Sequence, residues 1–117
     1  SIIKEFVMMM KISKIKFNFI NEKFSIGVLI VTFTNKFKKS LKKSVKRGLD
    51  PNLVLEAVST LEETGCLPKS YKPHKLHGNY EGVWECHITA DWLMTWLQDD
   101  GKLTLLFLDT GTHSDLF

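Results

Sequence analysis

Three strand-like runs follow one another in residues 83–110, which read VWECHITADWLMTWLQDDGKLTLLFLDT. The runs cover residues 83–89, 92–98 and 103–110. The Asp99-Asp100-Gly101 connection between the last two runs is a typical hairpin turn signal. The third run is apolar on both faces, which is typical of a central strand. This pattern predicts an antiparallel meander.

Upstream of the meander, the sequence predicts one strand and two helices. GVLIVTF at 27–33 is rich in β-branched residues, which favours a buried strand. A helix should follow, capped by Thr34 or Asn35, with apolar residues four apart on one face. Asp50 and the proline after it predict the start of a second helix, which should end at Gly65.

The order of these elements predicts the fold class and the domain organisation. A strand, a two-helix hairpin and an antiparallel meander indicate an α+β sandwich of two layers, with the helices on one face of the sheet. Residues 28–117 form the expected domain. Residues 1–27 show neither a helical nor a strand period, so we interpret them as an N-terminal extension. An extra strand or helix packed on the domain is the alternative.

Composition excludes several classes of protein. The 117 residues suffice for one domain, and 44% hydrophobic with 25% charged residues is ordinary globular composition. The most apolar run is about half the length that a membrane span needs, so no membrane association is expected. Two cysteines, Cys66 and Cys86, cannot form a disulfide scaffold, which favours a cytoplasmic setting.

Charge is divided unevenly along the chain. Residues 1–50 hold 12 Lys or Arg against 3 Asp or Glu, whereas residues 51–117 hold 4 against 10. The first predicted helix carries much of the positive charge, and its most prominent lysines are Lys38, Lys39, Lys42 and Lys43. A basic face of this kind suits a polyanion or an acidic partner. A face kept only for solubility is the alternative.

The histidines are the side chains of this sequence that are best suited to catalysis. His74, His77, His87 and His113 all lie in the C-terminal part of the chain. The His-x-x-His spacing of the first two is a weak zinc signal, so general acid–base chemistry is the better interpretation. RNA cleavage needs only one proton removed from the 2′-hydroxyl and one given to the departing 5′-oxygen. Neither a metal nor a cofactor is therefore expected.

Three motifs resemble a known family. They are YKPHKLHG at 71–78, ECHITADW at 85–92 and TGTHSDLF at 110–117, and NKFKK at 35–39 resembles the family's opening. In this order and spacing they are similar to the YafQ-type toxins of the RelE/ParE superfamily of bacterial toxin–antitoxin systems. The resemblance covers residues 28–117 and implies a RelE-like fold.

The resemblance also implies an activity and partners. Such toxins are ribosome-associated endoribonucleases that cut mRNA, and each is blocked by a cognate antitoxin, here expected to be of the ribbon–helix–helix type. The family's functional positions fall on a set of six residues in this sequence: His74, His87, Asp91, Trp92, His113 and Phe117. The basic helix would bind ribosomal RNA or an acidic segment of the antitoxin.

One position departs from the family pattern. The family usually carries Arg just before Thr-Gly-Thr-His, and this chain carries Asp109, which is expected to border the same cleft as His113. An acidic residue repels phosphate, and the loss of a phosphate donor typically costs about 10²–10³ in rate. Either a lysine of the basic helix substitutes, or the chain is a weakened or inactive toxin that still binds antitoxin or ribosome. A gyrase-poisoning activity of the ParE type is a third, weaker alternative.

Each candidate side chain also has an ordinary structural interpretation. His87 could be a half-buried histidine, and His113 could cap a helix. Asp91 could start a turn instead of orienting an imidazole. Trp92 is expected to stack on an mRNA base. Phe117 is expected either to form a base-stacking platform at the rim of the site or to plug the core.

Overall fold

The computed structural model describes residues 30–117. The expected extension at 1–27 and the first residues of the predicted strand at 27–33 lie outside the described residues. The strands are β1 (Ile30–Phe33), β2 (His74–Lys75), β3 (Trp84–Thr89), β4 (Trp92–Asp99) and β5 (Thr104–Gly111). The helices are α1 (Asn35–Lys46), α2 (Pro51–Thr64) and α3 (His113–Leu116), and 3₁₀ turns cover Lys69–Tyr71 and Gly78–Tyr80.

The five strands form one sheet in the order β1-β5-β4-β3-β2. The predicted meander is confirmed, because β3, β4 and β5 pair antiparallel in sequence order. β5 has a neighbour on each side, as its two apolar faces predict, because β1 pairs with it in parallel. The segment between α2 and the meander contributes the short strand β2, in which His74 lies opposite Glu85.

The two predicted helices begin and end where their capping residues indicate. The Thr34 hydroxyl accepts a hydrogen bond from the Phe37 N–H at 3.0 Å, which caps α1. The Asp50 carboxylate caps α2, and Gly65 ends it in the left-handed region at φ 76°. No helix in the described part of the chain is long and apolar enough to cross a lipid bilayer.

The core lies between the two helices and one face of the sheet. Phe37 and Leu41 of α1 pack with Val58 of α2 against the sheet residue Phe107, and all four side chains are fully buried. This arrangement confirms the predicted two-layer α+β fold. Burial raises the pKa of the Cys86 thiol to about 12, so this cysteine is a structural residue, as predicted.

A β-bulge in β5 changes which residues face the core. Trp96 lies opposite Phe107, but the preceding residue of β4, Thr95, lies opposite Asp109, so Leu108 is the extra residue. Residues that pair across strands lie on the same face of a sheet. Phe107 therefore points into the core, whereas Asp109 is on the face away from α1 and α2.

Candidate active site

A cleft on the sheet face away from α1 and α2 brings together the four side chains predicted to be catalytic. His74, His87, Asp91 and His113 all line this cleft, which has a volume of about 470 Å³. We call it the histidine cleft. The other lining residues are Glu85, Ala90, Leu93, Thr112 and Ser114. His77, the fourth histidine, is exposed and does not line the cleft.

His74 is held at the edge of the sheet by two acceptors. Its Nδ1 lies 2.8 Å from the Lys72 carbonyl oxygen, and its Nε2 lies 3.2 Å from Glu85 Oε1. Because both neighbours accept hydrogen bonds, the arrangement is complete when both ring nitrogens carry a proton. The His74 ring is therefore held in place between the Lys72 carbonyl and the Glu85 side chain.

Glu85 is a site residue that the sequence analysis missed. Its side chain is 8% exposed, and its second oxygen, Oε2, is buried without a hydrogen-bond partner among the described residues. A buried carboxylate oxygen without a partner is costly and is uncommon outside functional sites. The available signal was strand alternation, which places Glu85 on the same face of β3 as His87.

His87 lies near the end of β3, and Asp91 lies in the tight turn between β3 and β4. His87 is partly exposed and Asp91 is exposed, and both side chains face the histidine cleft. Within the described part of the chain, neither His87 nor His113 has a hydrogen bond at its ring nitrogens. Both rings are therefore free to exchange protons with a bound molecule.

His113 is positioned by the short C-terminal helix α3. Thr112 and Asp115 form a reciprocal capping box at its start. Asp115 also accepts a hydrogen bond from Arg47, at the end of α1, at 2.7 Å. Mainly through this bond, and also through hydrogen bonds with Thr112, the pKa of the Asp115 carboxyl lies well below its usual range. The ion pair therefore stabilises α3 fully at pH values above the ordinary carboxyl pKa. This stabilisation is lost progressively as the pH falls from there through the lowered pKa of Asp115.

Gly111 allows α3 to pack closely on the end of β5. A Cβ atom at this position would lie 2.9 Å from both Cβ and Oδ2 of Asp115. We expect Gly111→Ala to displace Asp115 from Arg47 and to lower the free energy of unfolding by about 1–3 kcal/mol, the usual cost of overpacking. Urea unfolding followed by circular dichroism measures this change.

Gly48→Ala is the matched control for this prediction. Gly48 also has a positive φ, 97°, but a Cβ atom at this position would have no neighbour within 4 Å. The control variant therefore reports the backbone cost alone, about 1–2 kcal/mol. A Gly111→Ala protein that keeps the Arg47–Asp115 pair and full mRNA cleavage would contradict the role assigned to Gly111.

The stacking role expected for Trp92 is wrong in this structure. Trp92 is 1% exposed and belongs to the core cluster, so no base can reach its ring. Its side chain lies on the core face of β4 with Met94 and Trp96, because these residues are separated by the strand period of two. Trp96 belongs to the core and the partly buried Trp84 packs against it, and their rings stack at 5.9 Å.

Phe117 and Asp109 line a second pocket rather than the histidine cleft. The expectation that Asp109 borders the cleft of His113 is wrong, because α3 carries His113 beyond the end of β5. The Phe117 ring is 45% exposed, which contradicts the core plug, and its centroid lies 5.1 Å from that of His113. The two pockets are therefore neighbours on the same face of the sheet.

A basic surface lies on α1. Lys39, Lys42 and Lys43 are exposed and Lys38 is partly exposed, and we call these four residues the lysine face. Within residues 30–117, no group of three or more His, Cys, Asp or Glu side chains is arranged to hold a metal ion.

The match to a known family covers most of the chain. Residues 29–117 match the family described as a bacterial toxin of type II toxin–antitoxin system, YafQ. The mRNA interferase toxin YafQ of Escherichia coli strain K12 is 34% identical over 88 residues, which are 74% of this chain and 94% of that protein.

Solved structures of YafQ and of related toxins have the same fold. YafQ from E. coli strain BL21(DE3) is 31% identical with a TM-score of 0.67, covering 76% of this chain and 98% of that one. A metal-bound toxin from Helicobacter pylori is 35% identical with a TM-score of 0.69, covering 76% and 99%. YafQ in the E. coli DinJ–YafQ toxin–antitoxin complex is 30% identical with a TM-score of 0.69, covering 76% and 97%. This chain therefore belongs to the YafQ family of toxins of bacterial type II toxin–antitoxin systems.

Proposed function

We propose that this toxin is an endoribonuclease that cleaves mRNA on the ribosome by acid–base chemistry of its own side chains. The observation that carries the proposal is the meeting of His74, His87, Asp91 and His113 in one cleft. These residues come from three separate segments of the chain. The family relationship supports the same activity, since the E. coli relative is an mRNA interferase.

The proposed reaction is an internal transfer at the phosphate. One imidazole removes the proton of the 2′-hydroxyl, and the 2′-oxygen forms a bond to phosphorus as the bond to the 5′-oxygen breaks. A second imidazole gives a proton to the departing 5′-oxygen, which leaves a 2′,3′-cyclic phosphate and a 5′-hydroxyl end. We assign the two transfers to His87 and His113, whose ring nitrogens are free.

His74 and Glu85 serve the reaction differently in this proposal. His74 lines the same cleft, so we assign it the binding of the phosphate, to which an N–H of its ring donates a hydrogen bond in the bound state. Glu85 is a positioning residue, which holds the His74 ring at 3.2 Å. Asp91, exposed at the rim of the cleft, orients the neighbouring imidazole by a hydrogen bond in the bound state.

The proposed partners follow from the family and from the charge distribution. E. coli YafQ forms a complex with the antitoxin DinJ in a solved structure. We propose that this chain likewise has a cognate antitoxin, of the ribbon–helix–helix type. The lysine face suits ribosomal RNA, because sequence-independent phosphate contacts are made by clustered lysines. We propose that the toxin acts in the cytoplasm, because its proposed substrate is mRNA on the ribosome.

Cleavage of mRNA on programmed ribosomes tests the proposed function directly. Purified toxin is incubated with ribosomes carrying a defined mRNA, and the new 5′ ends are mapped by primer extension. We expect cleavage in the decoding site that persists in EDTA-treated toxin, because the proposed chemistry uses only protein groups. Ribosome binding without any new 5′ end would contradict the nuclease.

A binding-only toxin is the second candidate, and a specific observation favours it. Among the described residues that line the histidine cleft, none is Lys or Arg. The family's Arg is replaced by Asp109, whose Oδ2 lies 3.4 Å from Lys36 Nζ. In this candidate the protein binds antitoxin or ribosome without cleaving RNA.

Asp109→Arg separates the nuclease from the binding-only protein. The substitution would replace the attraction between Asp109 and Lys36 by repulsion and move the lysine away. Lys36 lines the pocket next to the histidine cleft, so we expect cleavage on programmed ribosomes to fall about tenfold, the order of one lost hydrogen bond from a charged group to the substrate. An increase would instead indicate a nuclease weakened by the loss of Arg, and no cleavage by either protein would support the binding-only candidate.

A further inference from the structure

A second pocket adjoins the histidine cleft and has the shape and chemistry of a base-binding site. Its volume is about 290 Å³, and we call it the Phe117 pocket. The Phe117 ring that lines it is in contact with the His113 ring of the histidine cleft, at a centroid distance of 5.1 Å. A nucleotide next to a phosphate bound by the histidines would therefore reach this pocket.

Two aromatic rings form the rim of the Phe117 pocket. Tyr80 is 47% exposed and Phe117 is 45% exposed, and the rings meet edge to face at 5.1 Å. Single-stranded RNA is commonly held by stacking of its bases on exposed aromatic rings. Apolar side chains, including Leu76 and Val83, line the rest of the pocket, which suits the flat surface of a base.

A charged pair lies within this mainly apolar pocket, whose lining also includes Thr34 and Thr95. The Asp109 side chain is 10% exposed, its Oδ1 accepts a hydrogen bond from the Thr110 N–H at 2.9 Å, and its Oδ2 faces Lys36 Nζ at 3.4 Å. Each carboxylate oxygen can accept a further hydrogen bond, and the 72% exposed Lys36 ammonium has further protons to donate. The pair therefore presents two acceptors beside a donor.

We propose that the Phe117 pocket binds a guanine base of the mRNA and that Asp109 and Lys36 determine this specificity. The proposal rests on the proposed function, since the base belongs to the RNA substrate. Guanine presents N1–H and N2–H donors side by side, next to the O6 acceptor. The two donors match the two oxygens of Asp109, and O6 matches the Lys36 ammonium.

The other three bases match this pair less well. Adenine and cytosine each offer one amino group on the pairing edge, next to a ring nitrogen that would face a carboxylate oxygen. Uracil offers one N–H between two carbonyl oxygens, so a carboxylate oxygen would meet an acceptor. Because a carboxylate only accepts, each mismatch leaves a buried polar group unpaired.

Binding of single nucleotides tests the base preference without any cleavage. The four ribonucleoside 5′-monophosphates and inosine monophosphate are titrated into the folded toxin, and the NMR signals of Tyr80 and Phe117 are followed. We expect guanosine monophosphate to bind about tenfold more tightly than the other three, the typical discrimination of a two-bond base contact. Inosine monophosphate lacks the 2-amino group and should lose most of this advantage.

Three variants test whether the charged pair determines the guanine preference: Asp109→Asn, Lys36→Met and the control Glu63→Gln. Asn keeps an acceptor for the Thr110 N–H but offers a donor to guanine, so the preference should disappear. Lys36 is exposed, so Lys36→Met tests the same contact without a change in a buried side chain. Glu63 is exposed on α2, and its change to an amide should leave the preference intact. A guanine preference that survives in both folded variants, or equal affinity for all bases in the wild type, overturns the proposal.

Mapping of cleavage sites on mRNA gives a second, independent readout. The wild-type protein should cleave mainly where guanine occupies one fixed position beside the cut, and Asp109→Asn should lose this enrichment. A guanine preference in nucleotide binding together with no cleavage would overturn the nuclease and support the guanine site. Cleavage without guanine enrichment would overturn the guanine site and leave the nuclease supported.

Discussion

His87→Ala is expected to abolish mRNA cleavage, and with it any growth arrest caused by the toxin, while the fold stays intact. His87 lines the histidine cleft on β3, and its ring has no hydrogen bond to another described residue. Loss of one general acid or base typically costs about 10²–10⁴ in rate. Growth after induced expression and mapping of mRNA 5′ ends measure the effect in cells.

His77→Ala is the matched control for this change. His77 is exposed and lies outside the histidine cleft, so its loss should alter neither growth arrest nor cleavage. Thermal unfolding of both variants shows whether the fold is retained. Full toxicity of a folded His87→Ala protein would contradict the catalytic role of His87.

Charge reversal of the lysine face should weaken ribosome binding strongly without unfolding the protein. Changing all four lysines of this face to Glu removes up to four phosphate contacts from a surface that packs against nothing in the core. Each contact contributes about 0.7–0.9 to the slope of log affinity against log salt, so the slope should fall by about 3. Sedimentation with ribosomes at several salt concentrations measures both the affinity and the slope.

Two control proteins show whether the effect belongs to this face. Changing the same four lysines to Gln should give an intermediate loss, because it removes the attraction without adding repulsion. Lys102→Glu changes an exposed lysine in the β4–β5 turn and should have little effect. If the reversed and wild-type proteins sediment equally with ribosomes at low salt, the lysine face serves only solubility.

Most of the fold is predictable from local signals in the sequence. Caps such as Thr34 and Asp50, the αL glycine Gly65 and the period-two runs of the meander all agree with the structure. The parallel pairing of β1 with β5 was not predicted, because it joins segments far apart in sequence and has no local signature. The two-residue strand β2 was also missed, since its pairing depends on β3 alone.

The sequence motifs predict several residues of the candidate site. The positions of other side chains depend on packing and are harder to predict. The motifs named His74, His87, Asp91 and His113, and the structure places all four in one cleft. For Trp92 the motif predicts a base-stacking role, whereas the strand period places the side chain in the core, and the structure agrees with the strand period. The ion pair of Asp109 with Lys36 depends on three-dimensional approach and has no signal in the sequence.

The bulge at Leu108 places Asp109 outside the core packing of β5. Up to Phe107, every second side chain of β5 packs in the core, so a change in the size of one of them disturbs the packing of its neighbours. Because Leu108 is an extra residue in β5, the next side chain that would have faced the core, Asp109, faces the Phe117 pocket. A change of charge at this one position would therefore alter the Phe117 pocket while the core packing of the scaffold stays unchanged.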